Sequence, residues 1–409
     1  MLVAVQRPTV DDAEFAESLT ELRRLAKTLE LQVTGTCTQK RSTFDGATYL
    51  GSGKILELKA AIAEGGADTV LVDHEITPSQ ARNLEKATGA VVMDRTAVIL
   101  EIFHRHARSR AAKAQVEIVR LQYMAPRLRE QGAAKDRQRG GIGGKGAGES
   151  TVELDRRKIR DRVAELTAEL ASLEQERRTQ RSRRQDLARV ALVGYTNAGK
   201  STLMRALTGT EVYVADKLFA TLDTTVRTLV PETRPRILVS DTVGFIKTLP
   251  HGLVASFKST LAEALEASLL VHVVDASDPG FERQLQVTAE VLAEIGAGDV
   301  PRLLVFNKID RVGDDAARTE TAAALLARWP DALVMSAKAP ADVARLHAAL
   351  AAFFTRDVVE AELRVPWDRQ QLRGEIFAAC EVVEERSEPD AAVFRVRAPR
   401  GTIVRLGGS

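Results

Sequence analysis

The chain has 409 residues, 44% hydrophobic and 28% charged, with a formal net charge of +2; this composition fits a soluble globular protein of two to four domains and excludes a disordered or collagen-like chain. Its two cysteines, Cys37 and Cys380, lie too far apart for metal-ligand spacing and read as thiols of a reducing compartment, which excludes a disulfide-stapled secreted scaffold. No apolar run is long enough to span a bilayer, since Leu269-Leu270-Val271 is broken by His272. The amino terminus has neither the basic flank nor the apolar core of a secretory leader, so a cytosolic monomer without membrane insertion is expected.

Residues 1–103 read as a small α/β domain. Leu19, Leu22, Leu25 and Leu29 have helical spacing, Thr69-Val70-Leu71-Val72 and Ala90-Val91-Val92-Met93 read as buried strands, and Ser79 to Ala87 fits a helix between them. Strand, helix, strand predicts parallel pairing. Gly51-Ser52-Gly53-Lys54 imitates a phosphate loop, but Ile55 stands where a hydroxyl is needed and Gly46 is one residue too far upstream, so a structural turn is expected.

Residues 104–187 form a basic helical hairpin in this reading. Ala107, Ala111, Ala114, Ile118, Leu121, Ala125 and Leu128 alternate four and three apart, as do Ile159, Val163, Leu166, Leu170 and Leu173, which predicts two seams that face each other. Pro126 is expected to end or kink the first helix. Between the helices lies Arg129 to Gly148, with six glycines in the nine residues Gly140 to Gly148 and with Lys135, Arg137 and Arg139 beside them. Such a stretch holds no fixed shape without a partner. From His104 to Arg189 there are 22 Lys and Arg against 12 Asp and Glu, a surplus of +10 that leaves −8 on the rest of the chain. By charge alone, a footprint for a polyanion such as RNA and a solvated arginine-rich surface fit this surplus equally.

Strand and helix alternate again over residues 188–355. Val190 to Val193 leads into Gly194-Tyr195-Thr196-Asn197-Ala198-Gly199-Lys200-Ser201, and Thr202 to Leu207 begins a helix, the setting a phosphate loop requires. Two glycines let successive N–H groups turn inward on phosphates, Lys200 adds charge, and the Ser201 hydroxyl takes one place around Mg²⁺. Strands Ile237–Ser240, Leu269–Val274, Leu303–Phe306 and Ala332–Met335 lead into Asp241-Thr242-Val243-Gly244, Asp275, Asn307-Lys308-Ile309-Asp310 and Ser336-Ala337-Lys338. Strand ends gather the ligand loops of an open parallel sheet. Helices are expected over Leu253–Ala267, Gln284–Ile295, Ala316–Trp329 and Val343–Phe354. Residues 356–409 read as strand Glu360–Val365, helix Gln371–Glu381 and strand Ala392–Val396, a unit too short for a large core and expected to lean on a neighbour.

The Asp310 carboxylate can accept two hydrogen bonds from guanine, which adenine cannot give, while the Asn307 amide meets the other base edge and the Lys308 stem covers the ring. GTP is therefore the expected substrate. Asp241 holds Mg²⁺ through water, and the Gly244 N–H meets the γ-phosphate. Thr221, within Phe219-Ala220-Thr221-Leu222-Asp223, is the candidate switch ligand to Mg²⁺. The residue after Gly244 is Phe245, whose ring cannot orient an attacking water, so hydrolysis by the isolated chain should be slow. Lys200, Thr221 and Gly244 are thus the candidate catalytic residues. The nucleotide site comprises Gly194 to Thr202, Phe219 to Asp223, Asp241 to Gly244, Asn307 to Asp310 and Ser336 to Lys338; Ser201, Thr221 and Asp241 serve the metal.

These motifs, with Asp73-His74-Glu75, Asp94-Arg95-Thr96, Gln115-Val116-Glu117, Gly148-Glu149 and Leu154-Asp155-Arg156-Arg157, resemble the HflX family of ribosome-associated GTPases over residues 30–355. The resemblance implies binding of the large ribosomal subunit and its RNA and GTP-dependent splitting of stalled or idle ribosomes under stress, with the glycine-rich tip directed at the peptidyl-transferase centre. The chain departs from the family at Ser109 to Lys113, where an acidic residue is common, and at Gly146-Ala147-Gly148, where a proline is usual. Asn197 matches the phosphate-loop asparagine of potassium-stimulated GTPases, which implies a K⁺ ion; an asparagine that only shapes the loop is the equal alternative. A GTPase of subunit assembly and a nucleotide-gated hibernation or docking factor remain rival readings. The expected architecture is α/β: a P-loop GTPase domain, an N-terminal α/β domain, a long antiparallel helical hairpin and a small C-terminal α+β segment.

Overall fold

Four short segments near the amino terminus pair in parallel: β1 (Leu2–Gln6), β2 (Thr36–Lys40), β3 (Thr69–Val72) and β4 (Val91–Asp94), in the order β2-β1-β3-β4. The computed structural model describes residues 1–136, 151–182, 188–209, 218–219, 221–222, 224–247, 263–356 and 358–407. They fall into two units: Met1–Glu176 with Ala215–Asp223 and Lys247–Ser259, and Arg177–Val214 with Thr224–Ile246 and Thr260–Ser409.

In the first unit each strand is followed by a helix: α1 (Asp12–Thr28), α2 (Ser52–Gly65), α3 (Pro78–Thr88) and α4 (Arg95–His106). Local chemistry sets their ends. Thr77 and Gln80 form a capping box at the start of α3, Pro78 fills its first turn, and Gly89 closes it in the left-handed region at φ +76°. Gly51 caps α2 and donates its N–H to Gln39 at 3.0 Å, so the Gly51-Ser52-Gly53-Lys54 stretch is a structural turn. Val3, Val5, Leu50, Leu58, Val70, Val72 and Leu84 fill the core.

Two long helices follow, α5 (Arg110–Asp136) and α6 (Thr151–Ser182). They run antiparallel, because Arg110 pairs with Glu169 at 2.8 Å while Glu117, two turns further on, pairs with Arg162 at 3.0 Å. Their seam buries Ala114, Ile118 and Leu166, flanked by Leu121, Val163 and Leu170. Leu166 is 2% exposed, and Leu166→Ala should destabilise the pair by about 2–3 kcal/mol, read by chemical denaturation.

Pro126 does not end α5, which continues to Asp136. Pro126 leaves the Gln122 carbonyl without its helical N–H; beside it the Arg127 guanidinium donates to the Tyr123 carbonyl at 3.1 Å and to the Ile76 carbonyl at 3.0 Å. Asp94 fastens this helix to the sheet: its carboxylate accepts from Tyr123 Oη at 2.7 Å, Arg127 at 3.0 Å and the Ile76 N–H at 3.2 Å. The glycine-rich tip and most of the helix expected over Leu253–Ala267 lie outside the described residues.

Among the described residues the second unit carries a six-stranded sheet of β5 (Ala188–Val193), β6 (Thr225–Thr228), β7 (Ile237–Asp241), β8 (Leu269–Asp275), β9 (Arg302–Asn307) and β10 (Leu333–Val334), in the order β10-β9-β8-β5-β7-β6. Only the β6–β7 pairing is antiparallel. Helices α7 (Lys200–Thr208), α8 (Phe281–Glu294), α9 (Asp315–Arg328) and α10 (Pro340–Thr355) complete this part. Val190, Leu192, Leu203, Val239, Val271 and Val273 are among the buried residues of its main core. They read as near-continuous apolar runs because parallel strands are covered on both faces. Since β5 is flanked by β7 on one side and β8 on the other, the chain reverses its direction of winding there, which is where an open parallel sheet places its ligand loops.

The last stretch forms β11 (Val358–Pro366), α11 (Gln371–Ala379), β12 (Glu381–Ser387), β13 (Ala391–Pro399) and α12 (Arg400–Arg405), with an antiparallel sheet in the order β11-β13-β12. It has a small core of its own, built from Leu363, Val365, Ile376, Phe394, Val396 and Ile403. Among the described residues, no helix is long and apolar enough to cross a membrane.

Candidate functional site

The loop from Gly194 to Gly199 leaves β5 and enters α7 at this switch point. Gly194 has φ +144°, and a Cβ there would lie 2.2 Å from the Val273 carbonyl oxygen; Gly199 has φ +100°, and its Cβ would lie 2.3 Å from Asn307 Nδ2. Both positions therefore need glycine, for conformation and for space. Ala198, 1% exposed, roots the loop in the core, while Tyr195 and Thr196 are buried and Asn197 adopts φ +61°. Ser201 and Thr202 are half-buried in the first turn of α7, whose N-terminus favours anions.

Lys200 is 5% exposed, and its Nζ donates to the Gly194 carbonyl at 3.0 Å and the Tyr195 carbonyl at 2.9 Å. Burial lowers its pKa to about 8, against the attraction of Asp241 and with the repulsion of Lys308. A phosphate beside it would raise that pKa again, so binding takes up a proton above pH 8 and affinity falls as pH rises. Nucleotide affinity should drop about fivefold between pH 8 and pH 9, measurable by titration in buffers of different protonation enthalpy.

Ser201 Oγ donates to Asp241 Oδ2 at 2.7 Å, and Asp241 is fully buried at the end of β7. Two oxygen groups side by side, one hydroxyl and one carboxylate, fit Mg²⁺, which takes few protein ligands and keeps its waters. Thr242, also fully buried, donates to the Leu192 carbonyl at 2.7 Å and fixes the path of the chain towards Val243 and Gly244. A Cβ on Gly244 would lie 2.6 Å from Thr196 Cα and 3.0 Å from Lys200 Nζ. Phe245 then pairs in parallel with Tyr195: the Thr196 N–H donates to the Phe245 carbonyl at 2.6 Å, and the Phe245 N–H to the Gly194 carbonyl at 3.1 Å.

At the far side, Asn307 ends β9 and spends its amide within the protein. Its Nδ2 donates to the Ala198 carbonyl at 2.9 Å, and its Oδ1 accepts the Ala337 N–H at 2.9 Å. Asn307 thus ties the phosphate loop to the Ser336-Ala337-Lys338 loop. Lys308, at φ +65°, donates to the Asn197 carbonyl and pairs with Asp275 at 2.8 Å. Ile309 packs against the neighbouring core. Asp310 accepts from Ser336 Oγ at 2.7 Å, and its other oxygen lies 3.9 Å from Lys338 Nζ.

Phe219, Thr221 and Leu222 belong to the first unit. There the Phe219 ring meets Phe103 edge-on at 4.6 Å, the Leu218 N–H donates to Thr28 Oγ1 at 3.1 Å, and Leu222 is 2% exposed. Ala220 and Asp223 lie outside the described residues. Asp275, singled out in the sequence only as a strand end, holds Lys308, and one supporting residue escaped the sequence reading altogether: Asp342, which accepts the Ser336 N–H at 2.8 Å. Asp275 carries a signal, its place at a strand end; Asp342, within a helix, carries none.

Three family models match the chain in succession: "GTP-binding GTPase N-terminal" over residues 16–104, "GTP-binding GTPase Middle Region" over 106–184 and "50S ribosome-binding GTPase" over 189–308. A protein named GTPase HflX from Gluconacetobacter diazotrophicus is 54% identical, covering 99% of this chain and 96% of its own. The Escherichia coli K12 protein of the same name is 38% identical, covering 94% and 90%. Among solved structures, a GTP-binding protein from Sulfolobus solfataricus in complex with GDP is 24% identical with a TM-score of 0.45, covering 85% of this chain and 99% of that one.

Proposed function

The chain belongs to the GTPase HflX family and hydrolyses GTP to GDP and phosphate, and on that premise we propose that it binds the large ribosomal subunit and splits stalled or idle ribosomes in a GTP-dependent manner under stress. Lys200 and the loop amides hold the phosphates. Ser201 and Thr221 ligate Mg²⁺, with Asp241 acting through water, and the Gly244 N–H meets the γ-phosphate. Asp310 selects guanine, with Lys308, Ile309 and the Ser336-Ala337-Lys338 loop enclosing the base. Asn307 acts by holding these loops together. Hydrolysis is slow in isolation, because Phe245 is 1% exposed and offers no group to an attacking water. The ribosome, and K⁺ bound beside Asn197, complete the site. The protein works as a cytosolic monomer.

The observation that carries this reading is the pairing of a guanine-nucleotide site with two long helices. Lys113, Arg120, Arg157 and Arg160 on these helices are exposed. Solvated arginine and lysine side chains on a rigid helical pair suit the phosphates of folded RNA. Purified ribosomes sedimented with the protein should release free subunits with GTP or a non-hydrolysable analogue, and not with GDP. An unchanged profile would dismiss splitting. Precursor subunits accumulating on depletion would favour the assembly role, and binding without either effect would favour docking alone.

A further inference from the structure

The bridge between Tyr195 and Phe245 lies beside Lys200 and Gly244, the groups expected to meet a third phosphate. A diphosphate is held by the N–H groups of the loop and the amino end of α7, and a third phosphoryl group extends past Lys200 towards Gly244. In the structure that space is closed: even one carbon added to Gly244 would meet Thr196 Cα at 2.6 Å and Lys200 Nζ at 3.0 Å. Two main-chain hydrogen bonds hold it closed, Thr196 N–H to the Phe245 carbonyl at 2.6 Å and Phe245 N–H to the Gly194 carbonyl at 3.1 Å. Side chains hold the strand in turn, because Phe245 is 1% exposed and Ile246 is fully buried.

We propose that the main chain of Phe245 is a specificity determinant for phosphate number: bridged to the loop, it admits GDP, and GTP binds only by pulling Gly244 and Phe245 off Thr196 and Gly194. This rests on the phosphate-loop reading of the site and on no ribosomal partner. The residue that cannot help the water attack thereby acquires a second consequence, a handicap on the triphosphate state. Two hydrogen bonds of ordinary strength set that handicap at roughly ten- to thirtyfold in affinity. Because the bridge is made by main-chain groups, its strength depends on the buried ring only as an anchor.

The test uses the full chain with GDP and a non-hydrolysable GTP analogue. Phe245→Ala removes the anchor, and Phe245→Pro removes the N–H donor. Phe245→Ala should raise affinity for the analogue by roughly tenfold, and Phe245→Pro, which loses one bond of the two, by about three- to fivefold, each leaving that for GDP within about twofold. In the unaltered protein, the amide hydrogens of Thr196 and Phe245 should exchange slowly with GDP bound and at least about tenfold faster with the analogue, a readout that stands even if a variant fails to fold. Equal protection in both nucleotides, or an unchanged affinity ratio in folded variants, would overturn the proposal. Failure of the unaltered protein to bind GDP would remove the phosphate-loop reading and the proposal with it.

Discussion

Gly194→Ala should abolish nucleotide binding and lower stability by about 2–5 kcal/mol. The methyl group would sit 2.2 Å from the Val273 carbonyl oxygen, at a residue with φ +144°. That oxygen belongs to β8, which pairs directly with β5, so it cannot move aside without breaking the centre of the sheet. The strain has one local relief, displacement of the loop itself, and the loop is what grips phosphates. Gly209→Ala is the control: it too has a positive φ, +62°, but nothing lies within 4 Å of an added Cβ, so it should cost only about 1–2 kcal/mol and leave binding intact. Thermal denaturation together with titration by a fluorescent GDP distinguishes them.

Asp310→Asn should weaken GTP by roughly two to three powers of ten and improve binding of xanthosine triphosphate. An ionised carboxylate accepts both hydrogen bonds that guanine offers; an amide replaces one acceptor by a donor, which clashes with guanine and suits the extra carbonyl of xanthine. The change is confined to the base, since Ser336 can still donate to the remaining oxygen as it does to Asp310 Oδ1 at 2.7 Å. Competition among GTP, xanthosine triphosphate and ATP measures it. A uniform loss for all three would point to a collapsed loop and count against base selection by this residue.

The loops expected to hold nucleotide were legible as strand-end loops because ligand chemistry dictates residue types there: the glycines, lysine and serine of Gly194 to Ser201 and the aspartate of Asn307 to Asp310, which the structure sets side by side. Less visible were bonds made to the main chain far away, such as Asn307 to the Ala198 carbonyl, 109 residues earlier. No spacing rule forecasts these. Strands β2 and β12 were missed for a related reason. Thr36–Lys40 buries only Cys37 and Glu381–Ser387 buries none of its side chains, so as edge strands they lack the apolar alternation by which strands are read. Pro126 reads as the end or a kink of its helix, yet the helix runs on through it to Asp136, and the Arg127 guanidinium beside it reaches the Ile76 carbonyl, a contact visible only in three dimensions. The packing of Phe219 on Phe103 had no signal either, since a phenylalanine in a polar loop motif gives no hint of which surface receives it.

Asn307 reaches the phosphate loop with one end of its amide and residue 337 with the other, while Lys308 reaches Asn197. The loop expected to hold the phosphates and the loops expected to hold the purine are therefore laced to one another by hydrogen bonds. Release of the nucleotide is then expected to be cooperative, and an exchange-promoting partner that loosens one edge should loosen its hold at both ends.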